Sequence, residues 1–259
     1  MNRIALYTVF NDNFLECGLN MIYSFLQNNK WFDGDIIVLC DDTLSEYSKS
    51  ECRKMYYKVS FVTPDIEVYS KIFDNAGGIA LSRDLLNCYY KVEMLKNEYD
   101  RRVYLDSDVI VKGDISELFD CSKDGNMVVP DFNDDYGVYF NAGVMSLHSD
   151  SIPNELYNEA VDFCSNFNGY YFKNKRTHYG WLVDQDMFNE LLPNLVLLDD
   201  MVYNTRAEVL DDNTIGKCKI LHFWGRDDKP WLYNDRYENN SAAYLQYYRY
   251  DYMRRHKNI

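Results

Sequence analysis

Asp106 and Asp108 lie two positions apart, directly after the extended run that ends at Leu105. Side chains at positions i and i+2 of an extended chain point to the same side, so both carboxylates can reach one hard cation. A divalent ion held there can also bind the oxygens of a diphosphate. Acidic pairs also occur in solvated turns and as helix caps, so this pair alone is a weak indication of chemistry.

Four further segments contain side chains that can contact a metal, a sugar or a phosphate. They are Tyr90-Lys91, Phe140-Asn141-Ala142-Gly143-Val144, Asp184-Gln185-Asp186, and His222-Phe223-Trp224-Gly225 leading to Lys229-Pro230-Trp231. Each has an ordinary structural explanation when it is taken alone. Lys91 reads as a surface lysine, His222 as a hydrogen-bonded histidine at a strand end, and Gly143 as a residue that permits a tight strand entry. The ordered set is more specific than any one of its parts.

Together, these segments resemble glycosyltransferase family eight, which includes glycogenin, galactinol synthases and bacterial lipopolysaccharide glucosyl- and galactosyltransferases. The resemblance covers roughly residues 1 to 231. It implies an α/β fold of the GT-A type, with a Rossmann-like, mixed but mostly parallel sheet and helices on both faces. It also implies a UDP-sugar donor, Mn²⁺ with Mg²⁺ as the alternative ion, and retention of the anomeric configuration.

The resemblance assigns a role to each residue around the metal and the diphosphate. Asp106, Asp108 and His222 would be the metal ligands, and two carboxylates with an imidazole suit Mn²⁺. Gly225 and Lys229 would lie against the diphosphate, where glycine allows a close backbone approach and lysine neutralises the charge of the leaving group. Two residues complete this donor-binding set, namely Ser107 between the aspartates and Lys91 near the diphosphate or the donor sugar.

Four residues match positions that surround the donor sugar in the family, namely Asp131, Asn141, Asp184 and Gln185, and a fifth, the small residue Ala142, leaves room for the sugar. Retention requires either a covalent glycosyl-enzyme intermediate or attack from the face on which the leaving group departs. Gln185 is a poor nucleophile, whereas Asp184 is chemically able but is needed to hold sugar hydroxyls. We therefore expect same-face substitution, with Gln185 or Asp184 stabilising an oxocarbenium-like transition state.

At the N-terminus, Thr8, Phe10 and Phe14 match the uracil-binding segment of the family, and Asn11 and Asp12 match its polar turn. Phe10 departs from the threonine-like residue often found there, which leaves another base open. Phe14 keeps an aromatic ring that can stack on a base. Each phenylalanine is explained equally well as a core residue.

The elements that must position these residues alternate along the chain. Near-continuous apolar runs predict buried strands over residues 3–9, 35–40 and 102–105. Helices are predicted over roughly 15–26, over about 44–57 after a cap at Asp41-Asp42-Thr43, and over 81–95. Shorter strands are predicted at 127–129, 143–147, 195–197 and 219–222. This alternation predicts a sheet that collects ligands at the carboxyl ends of its strands, where Asp106 and Asp108 lie.

Composition and charge limit the class of protein. The 259 residues show no break in composition, so we expect one domain over residues 1–235 and a basic, tyrosine-rich tail or helix over 236–259. A formal net charge of −14 opposes nonspecific binding to nucleic acid. The sequence contains no secretory signal pattern or membrane span, and its seven cysteines are scattered, so a cytoplasmic protein is predicted.

The tail leaves two interpretations open. Its basic and aromatic residues suit a membrane interface or an anionic glycolipid, but a helix whose tyrosines pack on the domain explains them as well. We expect the acceptor to be a glycan or a lipid-linked sugar, because nothing marks one of the 24 tyrosines as a site of self-glycosylation. Two other functions remain, namely a sugar-nucleotide-binding protein without transfer activity and a metal-dependent nucleotidyltransferase or phosphohydrolase. The second of these does not require His222 followed by Lys229.

Overall fold

The structure is a computed structural model, and it describes residues 3–75, 83–96, 98–134, 137–165, 183–224, 229–232 and 241–256. Within those residues the strands are β1 (Ile4–Val9), β2 (Asp35–Leu39), β3 (Val59–Val62), β4 (Arg101–Leu105), β5 (Val109–Val111), β6 (Asn126–Asp134), β7 (Gly137–His148), β8 (Leu195–Leu197), β9 (Thr205–Arg206) and β10 (Ile220–His222). The α-helices are α1 (Leu15–Asn28), α2 (Glu46–Met55), α3 (Ile66–Asn75), α4 (Leu156–Ser165), α5 (Val183–Leu191), α6 (Asp200–Tyr203) and α7 (Ser241–His256).

Seven strands form one mixed sheet in the order β3-β2-β1-β4-β7-β6-β8. Strands β3, β2, β1 and β4 run parallel to one another, and β8 runs parallel to β6. Strand β7 is antiparallel to both of its neighbours, β4 and β6. A smaller sheet contains β5, β10 and β9, so the strand predicted at 219–222 lies outside the main sheet. The predicted α/β architecture with a mostly parallel sheet is confirmed.

Helices cover both faces of the main sheet, and alternate residues of each central strand are buried on opposite sides. In β1, Leu6 packs in the hydrophobic cluster that contains α1, whereas Tyr7 packs in the cluster that contains α4 and α5. This burial on two faces explains why the strand reads as a continuous apolar run. Burial of each large apolar side chain contributes about 1.5–3 kcal/mol to folding.

One of two local predictions was wrong, and the other was confirmed. Helix α2 begins at Glu46 and is capped by Ser45, whose hydroxyl accepts a hydrogen bond from the backbone amide of Ser48, so the cap is not Asp41-Asp42-Thr43. The helix predicted over 81–95 is confirmed over Arg83–Leu95, where it is of the 3₁₀ type, and residues 81 and 82 lie outside the described chain. Every residue from 89 to 95 is buried.

Strand β7 is longer than the predicted run at 143–147, and it is interrupted. Val128 and Val129 are consecutive in β6, yet they pair with Met145 and Asn141 of β7. The three residues between those partners, 142–144, therefore form a bulge against β6. Bulges re-aim nearby side chains and are common beside active sites.

The C-terminal helix α7 packs on the domain. Ala243, Tyr247 and Tyr250 are buried in a cluster with Leu221 and Phe223, which lie at the end of the smaller sheet. The opposite side of the helix exposes Leu245, Tyr248 and Tyr252. None of the helices within the described residues combines the length and the apolar character that a membrane span requires.

Gly125, at the start of β6, should tolerate no side chain. Its φ is +84°, and a Cβ atom there would lie 2.7 Å from Val196 Cγ2 and 2.9 Å from the carbonyl oxygen of Asn194. We predict that Gly125→Ala lowers the free energy of unfolding by about 1–3 kcal/mol, measured by urea denaturation. Gly216→Ala is the matched control, because a Cβ atom there meets nothing within 4 Å. Equal stabilities of the two variants would contradict the prediction.

Candidate active site

The acidic pair lies where β4 ends, in the middle of the main sheet. The backbone amide of Asp106 donates to the carbonyl of Gly143 in β7 at 2.8 Å. The carbonyl of Asp108 accepts from the amide of Phe223 at 3.0 Å, directly after β10. The two aspartates are thus anchored to different sheets, which brings β7 and β10 to the same place.

One atom from each of three residues converges at this place. Ligand atoms of Asp106, Asp108 and His222 all lie within 4.8 Å of one another. His222 Nε2 lies 3.1 Å from Asp108 Oδ1 and 3.7 Å from Asp106 Oδ2. Two carboxylate oxygens and an imidazole nitrogen at these separations can hold a divalent cation. The structure therefore brings together the three predicted metal ligands.

The remaining polar atom of each of these residues has a partner of its own. Tyr104 donates its hydroxyl to Asp106 Oδ1 at 2.7 Å, and Lys229 pairs with Asp108 Oδ2. His222 Nδ1 lies 2.7 Å from Asn204 Oδ1. Each ligand thus has one atom engaged by the surrounding protein and one atom directed at the centre. This arrangement fixes the orientation of all three side chains.

Two buried lysines balance the charge of the carboxylates. Lys91 is only 3% exposed, and its Nζ lies 2.8 Å from Asp184 Oδ2 and 3.5 Å from Asp106 Oδ1. It is therefore not an ordinary surface lysine, which was the alternative considered from the sequence. Burial opposes its charged form, but Asp106 and Asp184 attract that form, and the pKa of Lys91 is raised well above its ordinary value. Lys229 is buried as well. It donates to the carbonyl of Phe223 at 2.5 Å in addition to its pairing with Asp108.

Asp108 stays ionised because of its neighbours. Burial raises the pKa of Asp108, but the charge and the hydrogen bond of Lys229, together with the contact of His222, lower it by more, and the net pKa lies well below its ordinary value. A carboxylate that remains charged while buried needs such paired cations. It is therefore poised to bind a cation at neutral pH.

The bulge in β7 explains the glycine at position 143. A Cβ atom there would lie 2.5 Å from Asp106 Oδ2 and 2.6 Å from His222 Cε1. Gly143 therefore keeps the space between two candidate metal ligands open, which is a stronger constraint than the tight strand entry considered from the sequence. The carbonyl of the neighbouring Ala142 accepts from Lys91 Nζ at 3.3 Å.

Four of the five predicted sugar-side residues form one hydrogen-bond network. Gln185 Oε1 accepts from Asn141 Nδ2 and from the backbone amide of Ala142, both at 3.1 Å. Its Nε2 donates to Asp131 Oδ2 at 3.4 Å. Asp131 is also paired with Arg206, so one of its oxygens is already engaged. The fifth residue, Asp184, lies at the edge of this network through its ion pair with Lys91.

The predicted nucleotide segment divides into core residues and capping residues. Thr8 and Phe10 are buried, and the Phe10 ring packs against Gly18 of α1. Asn11 accepts from the amide of Asn13, and Asp12 accepts from the hydroxyl of Ser48 at 2.6 Å. The assignment of Thr8 and Phe10 to uracil binding therefore stays a prediction.

Phe14 keeps the position that stacking would need. Its ring is 37% exposed and lies 6.2 Å from that of Trp231 in an edge-to-face arrangement. Trp231 in turn lies 5.7 Å from Lys229 Nζ, and Lys229 pairs with Asp108, so the ring pair lies near the candidate metal site. Ser107, between the aspartates, is buried. Gly225 lies outside the described residues.

Three residues at the site were not predicted from the sequence. Tyr104 could have been found, because it lies two positions before Asp106 on the same face of β4. Asn204 and Arg206 carry no local pattern. They reach the site because β9 pairs with β10, which places Arg206 opposite His222.

Comparisons with known proteins agree on one family and one fold. The family model for glycosyl transferase family 8 matches residues 5–235. The glycosyltransferase GlyF of Streptococcus pneumoniae serotype 4 is 27% identical, and the match covers 81% of this chain and 52% of GlyF. The chain thus spans about half the length of that curated relative.

Solved structures extend the comparison at lower identity. The galactosyltransferase LgtC, in complex with donor and acceptor sugar analogs, superimposes with a TM-score of 0.66 at 15% identity, over 96% of this chain and 95% of that chain. The glycosyltransferase GlyE of Streptococcus pneumoniae gives a TM-score of 0.64 at 18% identity, over 97% of this chain and 60% of GlyE. These likenesses confirm the GT-A fold.

Gly143→Ala should damage the candidate metal site without unfolding the chain. The added methyl group would enter the space between Asp106 and His222. We predict at least a roughly tenfold loss of affinity for Mn²⁺, measured by the electron paramagnetic resonance signal of free Mn²⁺. Gly113→Ala is the control, because its nearest neighbour is the flexible side chain of Lys219 at 3.1 Å. Wild-type affinity in Gly143→Ala would show that the three residues do not hold the ion.

Asp186 should make stability depend on pH. It is buried and accepts from the Tyr139 hydroxyl at 2.5 Å, and burial, together with Asp184, raises the pKa of Asp186 to about 6. The folded state therefore binds this proton more tightly than the unfolded state, and the charged form costs stability above pH 6. That cost decreases as the pH falls through 6.

Replacing Asp186 with Asn should remove this dependence while keeping an acceptor for Tyr139. We predict that the free energy of unfolding of Asp186→Asn, relative to that of the wild type, increases by about 1–2 kcal/mol from pH 5 to pH 8. Denaturant unfolding of both proteins at both pH values measures this change. A stability difference that stays constant across this range would contradict the prediction.

Proposed function

The chain belongs to glycosyltransferase family 8, and from this premise we propose that it transfers a hexose from a UDP-sugar to a hydroxyl acceptor, with Mn²⁺ as cofactor and with retention of anomeric configuration. Family membership supports sugar transfer. The single observation that carries the finer proposal is the convergence of Asp106, Asp108 and His222 beside two buried lysines.

Asp106 Oδ2, Asp108 Oδ1 and His222 Nε2 would hold the ion. Bound there, Mn²⁺ would supply positive charge to a diphosphate and leave coordination positions for its oxygens. Mg²⁺ is the alternative ion, because two of the three ligands are carboxylates. The donor set thus fits the cofactor that the family resemblance implies.

Lys229 and Lys91 would bind on either side of this ion. Lys229 pairs with Asp108 and lies beside Trp231, whose ring contacts that of Phe14. Because Phe14 is expected to stack on the base, Lys229 would lie on the nucleotide side of the ion. It would stabilise the negative charge that develops on the departing UDP, so a general acid is not required. Lys91 bridges Asp106 and Asp184, which links the diphosphate side of the site to the sugar side.

Gln185 and Asp184 would act on the donor sugar. The Gln185 amide is held by Asn141, Ala142 and Asp131, so it can present a fixed dipole to an oxocarbenium-like transition state. Asp184 is paired with Lys91, which lowers its availability as a nucleophile. This pairing supports attack from the face on which UDP departs, with the departing phosphate accepting the proton of the acceptor.

We propose a glycan or glycolipid hydroxyl as the acceptor. On α7, Leu245, Tyr248 and Tyr252 recur at helical spacing and are exposed, which would suit peripheral contact with a membrane that carries a lipid-linked acceptor. A sugar-nucleotide-binding protein without turnover would share the metal site, and so would a nucleotidyltransferase. Product analysis separates these three activities.

A donor screen tests the proposed reaction. We expect one or more of UDP-glucose, UDP-galactose, UDP-N-acetylglucosamine and UDP-xylose to be hydrolysed slowly in the presence of Mn²⁺, with UDP and free sugar as products detected by chromatography. Chelation of the metal should abolish this hydrolysis. Binding without hydrolysis would support the binding-protein alternative, and release of UMP or a sugar phosphate would support nucleotidyl or phosphate chemistry.

Asp108→Asn tests the metal site within this reaction. The amide keeps the shape of the carboxylate but removes its charge, so we expect at least about a 100-fold loss of Mn²⁺-dependent UDP affinity by isothermal titration calorimetry. Asp150→Asn is the control, because Asp150 is exposed and lies at the other end of β7. Unchanged UDP affinity in Asp108→Asn would remove that residue from the metal site.

A further inference from the structure

Asn204 is the partner of His222 on the side away from the acidic pair. Its side-chain oxygen lies 2.7 Å from His222 Nδ1, and both residues are buried. His222 Nε2, the other ring nitrogen, lies 3.1 Å from Asp108 Oδ1. The imidazole is therefore held between an amide on one side and the candidate metal site on the other.

The fold brings Asn204 to this position through backbone contacts. The backbone amide of Asn204 donates to the carbonyl of Asp200 at 3.0 Å, and this hydrogen bond closes the end of α6. Strand β9 begins at the next residue, Thr205. Thr205 and Arg206 of β9 pair with Leu221 and His222 of β10 in parallel register. The position of Asn204 is thus set by the same ladder that sets the position of His222.

We propose that Asn204 is a positioning residue that accepts the Nδ1 proton of His222 and so keeps the Nε2 lone pair available to the metal. A neutral imidazole has one proton, and a hydrogen bond at one nitrogen decides which nitrogen is free to bind. The acceptor oxygen of Asn204 places that proton on Nδ1. This inference rests on the metal site of the proposed function.

Geometry at the other two ligands shows why His222 needs such a partner. Asp106 is held by Tyr104 and Asp108 by Lys229, and each of these donates to the carboxylate oxygen that does not face the centre. A carboxylate can bind a cation through either oxygen, whereas an imidazole binds only through an unprotonated nitrogen. Loss of the hydrogen-bond partner is therefore expected to reduce metal affinity more at His222 than at either aspartate.

Two substitutions separate hydrogen bonding from packing. Asn204→Asp keeps an acceptor of nearly the same shape, and a carboxylate can only accept. Asn204→Leu keeps approximately the volume but removes the acceptor. We expect Asn204→Leu to weaken Mn²⁺ binding by about 10–100-fold and Asn204→Asp to bind Mn²⁺ at least as tightly as the wild type.

Both affinities are measured on the full chain by the electron paramagnetic resonance signal of free Mn²⁺, with and without UDP. Spin-echo modulation of the bound Mn²⁺, with histidine labelled by ¹⁵N, reports directly whether an imidazole nitrogen is coordinated. We expect this coupling in the wild type and in Asn204→Asp, and its loss or reduction in Asn204→Leu. Asn28→Leu is the control. It also replaces a hydrogen-bonded asparagine with leucine, but Asn28 donates to the carbonyls of Ser24 and Val111, in α1 and β5, and not to a candidate metal ligand.

Each outcome decides between the inference and the proposed function. Wild-type affinity and coupling in Asn204→Leu would overturn the role of Asn204 while leaving the metal site intact. Equal losses in Asn204→Leu and Asn204→Asp, or in Asn28→Leu, would show a general structural effect and would also overturn it. A wild-type chain that binds no Mn²⁺ in the presence of UDP would remove the proposed metal dependence, and the role of Asn204 with it.

Discussion

Like charges held close together in a poorly hydrated place impose the main constraint on this fold. Asp106, Asp108 and Asp184 each keep less than a third of their side-chain surface exposed, and each is paired with a buried lysine. Buried carboxylates repel one another and favour protonation unless cations offset their charge. Lys91 supplies that charge to Asp106 and Asp184, Lys229 supplies it to Asp108, and a divalent ion would add to it.

This constraint accounts for the way in which distant parts of the chain meet. The acidic pair follows the end of β4, and Gly143 in the bulge of β7 leaves space beside that pair. Strand β10 brings His222 from the smaller sheet. Helix α5 adds Asp184 and Gln185, and the 3₁₀ helix adds Lys91. In the proposed reaction, these cations would surround the leaving diphosphate and the held amide of Gln185 would face the sugar, which would favour departure of UDP and attack on the same face.

The sequence predicts the order of strands and helices well where burial on two faces leaves continuous apolar runs, as in β1 and β2. The acidic pair, His222, Lys229 and the sugar-side residues are predicted only because five segments occur together, since each alone has a structural explanation. Matching by position does not predict exposure, because Thr8 and Phe10 are buried whereas Phe14 is partly exposed.

Other features depend on pairing between strands that are far apart in the chain. The bulge of β7 arises from its register with β6, and the contact of Asn204 with His222 arises from the pairing of β9 with β10. Neither leaves a local pattern, because hydrogen-bond register between distant strands is not encoded in one segment.

The most direct test of the account is the position of the metal itself. Crystals grown with Mn²⁺ and UDP should show one strong anomalous peak at the manganese absorption edge, within coordination distance of Asp106, Asp108 and His222, with the diphosphate of UDP against the same ion. An ordered UDP without such a peak, or a peak at other residues, would contradict the account.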